Sequence, residues 1–403
     1  MKKLKTISIT IVLISAFMCL LCSCDAFTKT VEVTVTAETT VTVQTTATVT
    51  VQTTVYETDA FDGLEEPSGA LLKVHFINVV QGDAIFIEFP DGSNMLIDAG
   101  DNPKAKTDML LTYLNDVLDK DGNGELSDGE KIIDRIMVTH CDSDHIGGMD
   151  NVLDAYTVNK IYMPKLVPAD ETLSTAEQKA QLGTLNTVVF KTFYQKAVTE
   201  VASSGNSAEI VYNIGTFNIA NADAGYDMTV ICPSEDYYAQ ICQNSSALDK
   251  NNMSPIAILS YSGRKVCLTG DASYKQDSLL SAENNFLAYI AEHPEFDVDV
   301  DVLKVGHHGS EGSSGLDFLY AVKPEYAVFT NGDPDNGKSS EQTDDDISTG
   351  NTYGHPRPEV LSRLYKTGVK ALMFADRHGD VKLTIGENGG MAFVTEHSAP
   401  YRY

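Results

Sequence analysis

Apolar and polar positions divide the chain into three parts with different patterns. Residues 7–22 are mostly apolar, whereas residues 28–58 alternate threonine and valine. From about Leu71 onwards, short apolar runs alternate with turn residues and with stretches of helical spacing. These patterns predict an apolar leader, an extended segment and one globular domain of roughly 330 residues.

The leader has the features of an export signal. Lys2, Lys3 and Lys5 form a basic start before the apolar run. The run ends in Leu-Cys-Ser-Cys at residues 21–24, which resembles a bacterial lipobox. The resemblance predicts a lipoprotein signal over residues 1–24 and a lipid anchor on Cys24, at the outer face of a bacterial cell membrane. The alternative is a transmembrane helix, although the run is a little short for a bilayer and polar residues follow at once.

Residues 25–70 predict a stalk or linker. They contain an internal repeat, TVTVQTTA from Thr40 and TVTVQTTV from Thr48. Threonine and valine in alternation favour extended backbone, while the lack of varied large side chains argues against a packed core. The alternative interpretation is a pair of edge strands added to the main domain.

The domain of residues 71–403 mixes predicted strands and helices. Strand-like runs occupy residues 71–80, 84–89 and 94–100, a helical stretch covers 108–118, and a strand over 135–139 ends at His140. Further along, helices are predicted from about Thr175 to Glu200 and from Lys275 to about His293. Because strands and helices do not alternate strictly, the sequence predicts an α/β fold of stacked sheets covered by helices.

Polar side chains follow the ends of three predicted strands. Residues 138–150 read VTHCDSDHIGGMD, and their candidate metal ligands are His140, Asp142, Asp144 and His145. Imidazoles and carboxylates at this spacing can point into one pocket from a tight turn, which favours a metal loop over a solvated polar turn. LTGDAS sets Asp271 after a second strand, and LKVGHHGS sets His307 and His308 after a third.

These segments resemble the metallo-β-lactamase superfamily, and more narrowly the hydrolase domain of the ComEC competence proteins. The stretches that carry the resemblance are HFINVVQGDAIFIEFPDGSNMLIDAG, THCDSDHIGG, LTGDA, LKVGHHGS and NTYGHPRPEVL. Together they span nearly the whole domain. The resemblance implies an αββα sandwich, with two mixed sheets flanked by helices and a metal site at one sheet edge.

The resemblance also implies two divalent transition metal ions, zinc or manganese. One ion would face His140 and Asp142, the second would face Asp144 and His145, and Asp271 would bridge the two. Asp142 stands where many members of the superfamily have a histidine, so the ligand set is richer in oxygen and shifts toward manganese or magnesium. The chemistry implied is hydrolysis by a metal-activated water, with Asp144 among the catalytic residues.

Further positions complete the predicted site. His307 or His308 would complete the second metal site, and Asp98, in LIDAG, would orient a ligand. His355, in YGHPRP, would contact a substrate phosphate or protonate the leaving group, and the alternative is a surface turn histidine. Residues 146–292 contain no histidine, so the third histidine of the superfamily's usual first metal site is missing.

A cation site of another kind is predicted in residues 119–130, which read DKDGNGELSDGE. This segment matches the EF-hand calcium loop, with Gly124 for the sharp turn and Leu126 as the apolar contact. The predicted calcium ligands are Asp119, Asp121, Asn123, the carbonyl of Glu125, Ser127 through water, and Glu130. Because a strand soon follows, we expect a structural site rather than a sensor; the alternative is an acidic solvated loop.

The net charge bears on the substrate, and the cysteine content bears on the fold. The formal net charge is −28, a field that repels polyanions and slows association with nucleic acid unless cations offset it. The domain cysteines Cys141, Cys232, Cys242 and Cys267 are too few and too scattered to define the fold as a disulfide framework.

Three functions remain open from sequence. The ComEC-like resemblance favours a surface-anchored hydrolase of phosphodiesters, with DNA as the substrate. An acidic surface is no handicap for a hydrolase of a small cell-wall phosphoester or lactone. The missing histidine favours a non-catalytic binding lipoprotein, which the joint presence of the other ligands opposes. The membrane would be contacted only through the lipid anchor, and no sequence feature points to a protein partner.

Overall fold

The computed structural model describes residues 33–37, 45–49, 61, 63–166, 187–203, 208–238, 250–274, 281–332, 354–396 and 401–402. The chain divides into two compact units, Met1–Asp59 and Ala60–Tyr403. In the first unit, β1 (Val33–Ala37) pairs antiparallel with β2 (Thr45–Val49), so the threonine and valine alternation adopts extended backbone there. The predicted lipid-bearing Cys24 lies outside the described residues.

Short strands and helices make up the second unit. Its strands are β3 (Leu71–Phe76), β4 (Ile85–Glu88), β5 (Asn94–Ile97), β6 (Ile132–Met137), β7 (Thr157–Met163), β8 (Glu209–Tyr212), β9 (Thr216–Asn221), β10 (Tyr226–Ile231), β11 (Ile256–Tyr261), β12 (Arg264–Leu268), β13 (Val302–Lys304), β14 (Tyr326–Phe329), β15 (Ala371–Phe374), β16 (Val381–Gly386), β17 (Met391–Thr395) and β18 (Tyr401–Arg402). Its helices are α1 (Lys104–Leu118), α2 (Ser143–Ile146), α3 (Met149–Ala155), α4 (Val188–Ser203), α5 (Ala282–Glu292), α6 (Leu316–Val322), α7 (Pro358–Thr367) and α8 (Ala375–His378).

Local sequence signals explain where helices begin and end. The hydroxyl of Ser281 accepts a hydrogen bond from the backbone N–H of Asn284, which caps α5. Helix α7 starts with Pro358, whose missing N–H costs nothing in a first turn. It ends at Gly368, which adopts the left-handed backbone (φ 83°) that a helix C-cap requires.

The strands of the second unit form two mixed sheets built on the same plan. The orders are β17-β16-β3-β4-β5-β6-β7-β8 and β18-β15-β14-β13-β12-β11-β10-β9. Strands β5 to β8 run parallel in the first sheet, and β12 to β15 run parallel in the second. Parallel strands end at the same edge of a sheet, so the loops that follow them collect at that edge.

Apolar side chains form three layers of core. One cluster lies between the sheets and joins alternate residues of facing strands, such as Val74 of β3 and Val328 of β14. A second cluster joins Phe86 of β4 to Leu114 of α1, and a third joins Leu303 of β13 to α6 and α7. Helices therefore cover the outer face of each sheet. The prediction of an α/β, αββα sandwich with two mixed sheets flanked by helices is confirmed.

Some predicted features extend beyond the described residues. The predicted helices at about 175–200 and 275–293 are seen as α4 from Val188 and α5 from Ala282, while residues 167–186 and 275–280 are outside the description. In the part of the chain that is described, no helix is long and apolar enough to cross a bilayer. Cys141, Cys232 and Cys267 are buried thiols that form no disulfide with another described residue, and Cys242 lies outside.

Candidate metal centre

Polar side chains that follow the parallel strands of both sheets lie together at one buried centre. Asp98 follows β5 and His140 follows β6 in the first sheet. Asp271 follows β12, and the pair His307 and His308 follows β13, in the second. Asp98, His140, His145, Asp271 and His308 are each at most 2% exposed. The sequence therefore brings together ligands that are far apart along the chain because both parallel halves end at the same place.

The predicted metal loop is a short helical turn held between two other loops by backbone hydrogen bonds. The N–H of Ala99 donates to the carbonyl of His145 (2.7 Å), and the N–H of Asp83 donates to the carbonyl of Asp144 (3.2 Å). Such close approach needs glycine: an added Cβ would lie 2.1 Å from the Asp144 carbonyl at Gly82 and 2.3 Å from the Ala99 carbonyl at Gly148. Backbone hydrogen bonds and close glycine contacts therefore hold the loop in place without help from its ligand side chains.

Asp144, His145 and His308 form one group that could hold a metal ion. His308 Nε2 lies 3.4 Å from Asp144 Oδ2 and 3.3 Å from His145 Nε2. Asp98 Oδ2 lies 2.7 Å from His145 Nδ1 and accepts the hydroxyl hydrogen bond of Thr139 (2.6 Å). Of the two histidines that the sequence left open for this group, His308 is the one that reaches it.

His140, His145 and Asp271 form an adjacent group. His140 Nε2 is buried and has no hydrogen-bond partner among the described residues; its nearest carboxylate oxygens are Asp142 Oδ2 at 3.7 Å and Asp271 Oδ2 at 3.9 Å. Its Nδ1 lies 3.3 Å from the hydroxyl of Ser254. A buried ring nitrogen that faces two carboxylates without contacting either fits a site for a cation between them.

The pKa shifts of the centre are also those expected of a cation site. Burial alone would lower the pKa of His145, yet Asp271 and Asp98 outweigh it and raise that pKa well above its usual value. Burial raises the pKa of Asp142, but its contacts with His140 and Lys250 bring it down to about 2. The pKa of Asp271 is likewise held well below its ordinary value, because neighbouring histidines outweigh its burial. The carboxylates thus retain their charge, and divalent ions would displace protons from the imidazoles.

A buried lysine behind the centre joins the two sheets. Lys304 Nζ lies 2.5 Å from Asp83 Oδ2 and donates to the carbonyl of Gly270 (2.8 Å), and its side chain is fully buried. Burial would raise the pKa of Asp83, but the charges of Lys304, His145 and His308 lower it below its usual value. The Lys304 ammonium group therefore offsets the negative charge of Asp83 beside the centre.

The loop that presents the histidine pair is anchored from α5. Both oxygens of Glu283 accept backbone hydrogen bonds, from Ser314 at 2.5 Å and Gly315 at 2.9 Å. Burial raises the pKa of Glu283 to about 8, although these two N–H groups favour the charged form. The positions of Ser314 and Gly315, which follow the histidine pair, therefore depend on the Glu283 carboxyl group, which lies outside the centre.

His355 lies beside the centre, and the calcium loop is a separate group. The His355 ring is 5.5 Å from the His307 ring, centroid to centroid, and burial together with His307 and His308 lowers its pKa to about 4. In the loop of residues 119–130, Asp119, Asp121 and Glu130 offer oxygens that lie within 4.8 Å of one another. The loop also contains the other predicted ligands, Asn123, Glu125 and Ser127.

Sequence reasoning missed several residues that hold the ligands. They are Lys250, Asn251, Ser254, Lys304 and Thr330. Lys304 carried a usable signal, because a lone charge in the buried apolar run VLKV is rare unless it is paired. The other four lie in loops or, for Asn251, in a short 3-10 helix, and they contact the centre through the tertiary fold, so no local pattern could have identified them.

Residues 77–216 match the Metallo-beta-lactamase superfamily, a range that includes Asp98 and the whole metal loop. The matched range ends before Asp271 and the histidine pair of the second sheet. The domain is similar to ComE operon protein 3 of Bacillus subtilis (strain 168), with 24% identity over 327 residues that cover 77% of this chain and 32% of that protein. It is also similar to Competence protein ComA of Neisseria gonorrhoeae, with 28% identity over 165 residues, 41% of this chain and 19% of that protein.

The chain therefore spans about a third or less of the length of these curated relatives. Their similarity supports the resemblance of residues 71–403 to the ComEC competence proteins. Among solved structures, the chain is similar to the metallo-beta-lactamase fold protein YhfI from Bacillus subtilis. That likeness has 11% identity and a TM-score of 0.40, and it covers 78% of this chain and 100% of YhfI.

Lys304→Met tests the buried ion pair. The change leaves the Asp83 carboxylate buried without its cation, so we expect the free energy of unfolding to fall by about 3–5 kcal/mol. Chemical denaturation of chelator-treated protein measures this difference. The double variant Asp83→Asn/Lys304→Met removes both charges and should recover much of the loss. If Lys304→Met is as stable as the wild type, this ion pair does not hold the two sheets together.

Glu283→Gln tests the anchor of the histidine loop through the pH dependence of stability. The folded pKa of Glu283, about 8, lies above the ordinary value of 4.5, so the unfolded chain releases this proton at lower pH than the folded one. Stability from this group is therefore full below about pH 4.5 and falls as pH rises toward 8, with a slope of up to about 1.4 kcal/mol per pH unit. The difference between wild type and Glu283→Gln in unfolding free energy should show this slope; parallel curves would contradict it.

Proposed function

We propose that this chain is an exported, surface-anchored metal-dependent hydrolase that cleaves phosphodiester bonds. The observation that carries the proposal is the pair of adjacent ligand groups that share His145 and meet at the carboxylate of Asp271. Two neighbouring divalent ions are a recurrent arrangement for displacement at phosphorus, since they can stabilise both the attacking and the leaving oxygen. The surface anchor rests on the lipobox resemblance at Cys24, and the similarity to competence proteins favours DNA as the polymer.

The side chains would divide the work as follows. His140, Asp142 and Asp271 would hold the first ion, and Asp144, His145 and His308 the second, with Asp271 shared. When bound, divalent metal ions supply a water of lowered pKa and stabilise the negative charge that develops during attack.

Neighbouring residues would orient these ligands. Asp98 holds the His145 ring through Nδ1, which leaves Nε2 directed at the centre. Thr330 acts in the same way on His308, whose Nδ1 lies 3.2 Å from the threonine hydroxyl. His355 is near enough to the histidine pair to contact a substrate bound there.

The charge of the chain favours a second candidate substrate class. A net charge of −28 opposes the approach of a polyanion at low ionic strength. A small phosphoester or lactone of the cell wall would not meet that barrier. Bound divalent ions would lessen the local repulsion, which is why we rank phosphodiesters first.

A structural calcium ion in residues 119–130 is the remaining part of the proposal. The loop supports it through its backbone: Asp119 accepts the N–H groups of Gly122 and Gly124, at 2.8 and 2.7 Å, and Glu130 reaches back to accept the N–H of Lys120 at 3.0 Å. Leu126 packs against the core cluster of the first sheet. A calcium ion here would stabilise the segment that leads into β6 and the metal loop.

Asp144→Asn tests the hydrolytic centre. The purified chain, supplied with manganese or zinc, is assayed against single-stranded DNA and bis-p-nitrophenyl phosphate. We expect Asp144→Asn to lower turnover by roughly 100-fold or more, because several kcal/mol of transition-state stabilisation depend on the metal and each 1.4 kcal/mol is tenfold. A chelator should abolish activity, and manganese should restore it.

The matched control for that assay is Asp154→Asn, the same chemical change at an exposed position on α3. It should retain wild-type turnover. Cleavage of DNA supports the first substrate class, and turnover of the small ester alone supports the second. Silence with both substrates, or an Asp144→Asn variant as active as the wild type, would refute a hydrolase at this centre.

Glu130→Gln tests the calcium loop. Calcium that binds only the folded chain raises the unfolding temperature as its concentration exceeds the dissociation constant, which for extracellular loops is about 0.1–1 mM. We expect 10 mM calcium to raise the wild-type unfolding temperature by a few degrees and to leave Glu130→Gln unchanged. Glu125→Gln is the matched control, since only the backbone carbonyl is a ligand there, and it should respond like the wild type. Equal responses of all three proteins would exclude this site.

A further inference from the structure

In the ligand sets proposed above, the first ion has fewer histidines than the second. His140 is the only histidine assigned to the first ion, whereas His145 and His308 are assigned to the second. Residues 146–292 contain no histidine that could fill the position. His75, the histidine that precedes the metal loop, contacts Tyr113 and Glu88 through its ring nitrogens. An additional imidazole for the first ion would therefore come from a residue later than 292.

The histidine pair after β13 spreads across both sides of Asp271. His308 Nε2 lies 3.5 Å from Asp271 Oδ1, while His307 Nε2 lies 3.5 Å from Asp271 Oδ2. Oδ1 is the oxygen beside His145 (3.2 Å), and Oδ2 is the oxygen beside His140 (3.9 Å). The two neighbouring imidazoles therefore approach different metal groups.

Backbone conformation makes this spread possible. His307 and His308 both adopt the left-handed region, with φ of 46° and 50°. Non-glycine residues seldom adopt that region, and its cost persists where the surrounding structure requires it. The N–H of His307 donates to the carbonyl of Gly270 (3.1 Å), which holds the turn against the loop of Asp271.

His307 also shares the orientation of the other three imidazoles. In each ring, Nδ1 lies near a side chain outside the metal groups: Asp98 for His145, Thr330 for His308, Ser254 for His140 and Asn251 for His307. The Asn251 amide lies 3.0 Å from His307 Nδ1. A partner on one ring nitrogen fixes the ring and leaves the other nitrogen for a metal, as is usual for metal-binding histidines.

We infer that His307 supplies the missing histidine of the first metal site. The ligand set becomes His140, Asp142, His307 and one oxygen of Asp271. Three of the separations are 3.5 Å for His307 to Asp271, 3.7 Å for His140 to Asp142 and 3.9 Å for His140 to Asp271. They are close to the roughly 3.4 Å expected between ligands of a tetrahedral zinc ion. The assignment rests on the proposed two-metal function, since a centre with one ion would not require it.

One consequence is that the two ions occupy unequal surroundings. The His307 side chain is 30% exposed and that of Asp142 is 32% exposed. Among the ligands of the second ion, Asp144 is also 30% exposed, whereas His145 and His308 are buried. The first ion has two partly exposed ligands and the second has one, so the first is the ion that should exchange more readily.

Metal counting on His307→Gly tests the assignment without using a substrate. Glycine removes the imidazole and also relieves the left-handed backbone, so the variant should fold; His307→Asn, which tolerates the same backbone, is the second variant. Equilibrium dialysis against zinc followed by elemental analysis gives the number of ions and their affinities. Electron paramagnetic resonance of the manganese-loaded proteins shows whether the ions are coupled as a pair.

We expect two ions in the wild type and a coupled manganese signal. His307→Gly and His307→Asn should bind one ion with wild-type affinity and the other at least about 100-fold more weakly, since even partners that act through a ligand are worth about 10–100-fold. Their manganese signal should be that of an isolated ion. His355→Ala, which removes another imidazole from the same pocket, is the control and should keep both ions.

Two failures are distinguishable. If His307→Gly and His307→Asn keep two ions with wild-type affinities while the wild type also has two, the assignment of His307 is wrong and the two-metal function stands. If the wild type itself binds fewer than two ions, the two-metal function fails and the assignment fails with it. Loss of the second ion in His355→Ala as well would also overturn the assignment, because the effect would not be specific to His307.

Discussion

The buried carboxylate of Asp271 is the contact on which the centre depends. It lies among imidazoles from two loops and 3.9 Å from Lys304 Nζ. The carboxylates of Asp144 and Asp83 each lie 3.4 Å from one of these imidazoles, that of His308. Negative charges that are buried this close together oppose one another strongly unless cations compensate them. Lys304 and the imidazole of His145, whose pKa is raised, compensate part of this charge. The centre would therefore gain stability as well as chemistry from divalent ions.

The fold brings these charges together through a repeated plan. Each sheet has an antiparallel half and a parallel half, and the parallel halves end at the same buried centre. The first sheet contributes a loop held by backbone hydrogen bonds, and the second contributes Asp271 and the histidine pair. Because strand ends are among the best fixed points of a sheet, the ligands need little support from their own loops. The side chains that orient them, such as Asp98 and Thr330, also follow strands.

Local patterns in the sequence were enough to predict the sheets, the metal loop and the histidine pair, because every ligand follows directly on an apolar run. Strands β7, β8, β9, β16 and β17 were not predicted, although Val381, Leu383 and Ile385 of β16 alternate with polar residues as in a half-buried strand. The distinction between His307 and His308 could not be made either. It depends on two left-handed backbone positions and on Asn251, which belongs to a distant loop. The pairing of Lys304 with Asp83 likewise requires knowing which sheets face each other.

The division of the ligands between the two sheets has a consequence for a chain that is made from its N-terminus. A partly emerged molecule carries His140, Asp142, Asp144 and His145 but lacks Asp271 and both members of the later histidine pair. Such a molecule has only half of the proposed ligands of each ion. The centre can form only after Asp271 and the histidine pair of the second sheet have packed against the loops of the first sheet, so its assembly comes late in the folding of the chain.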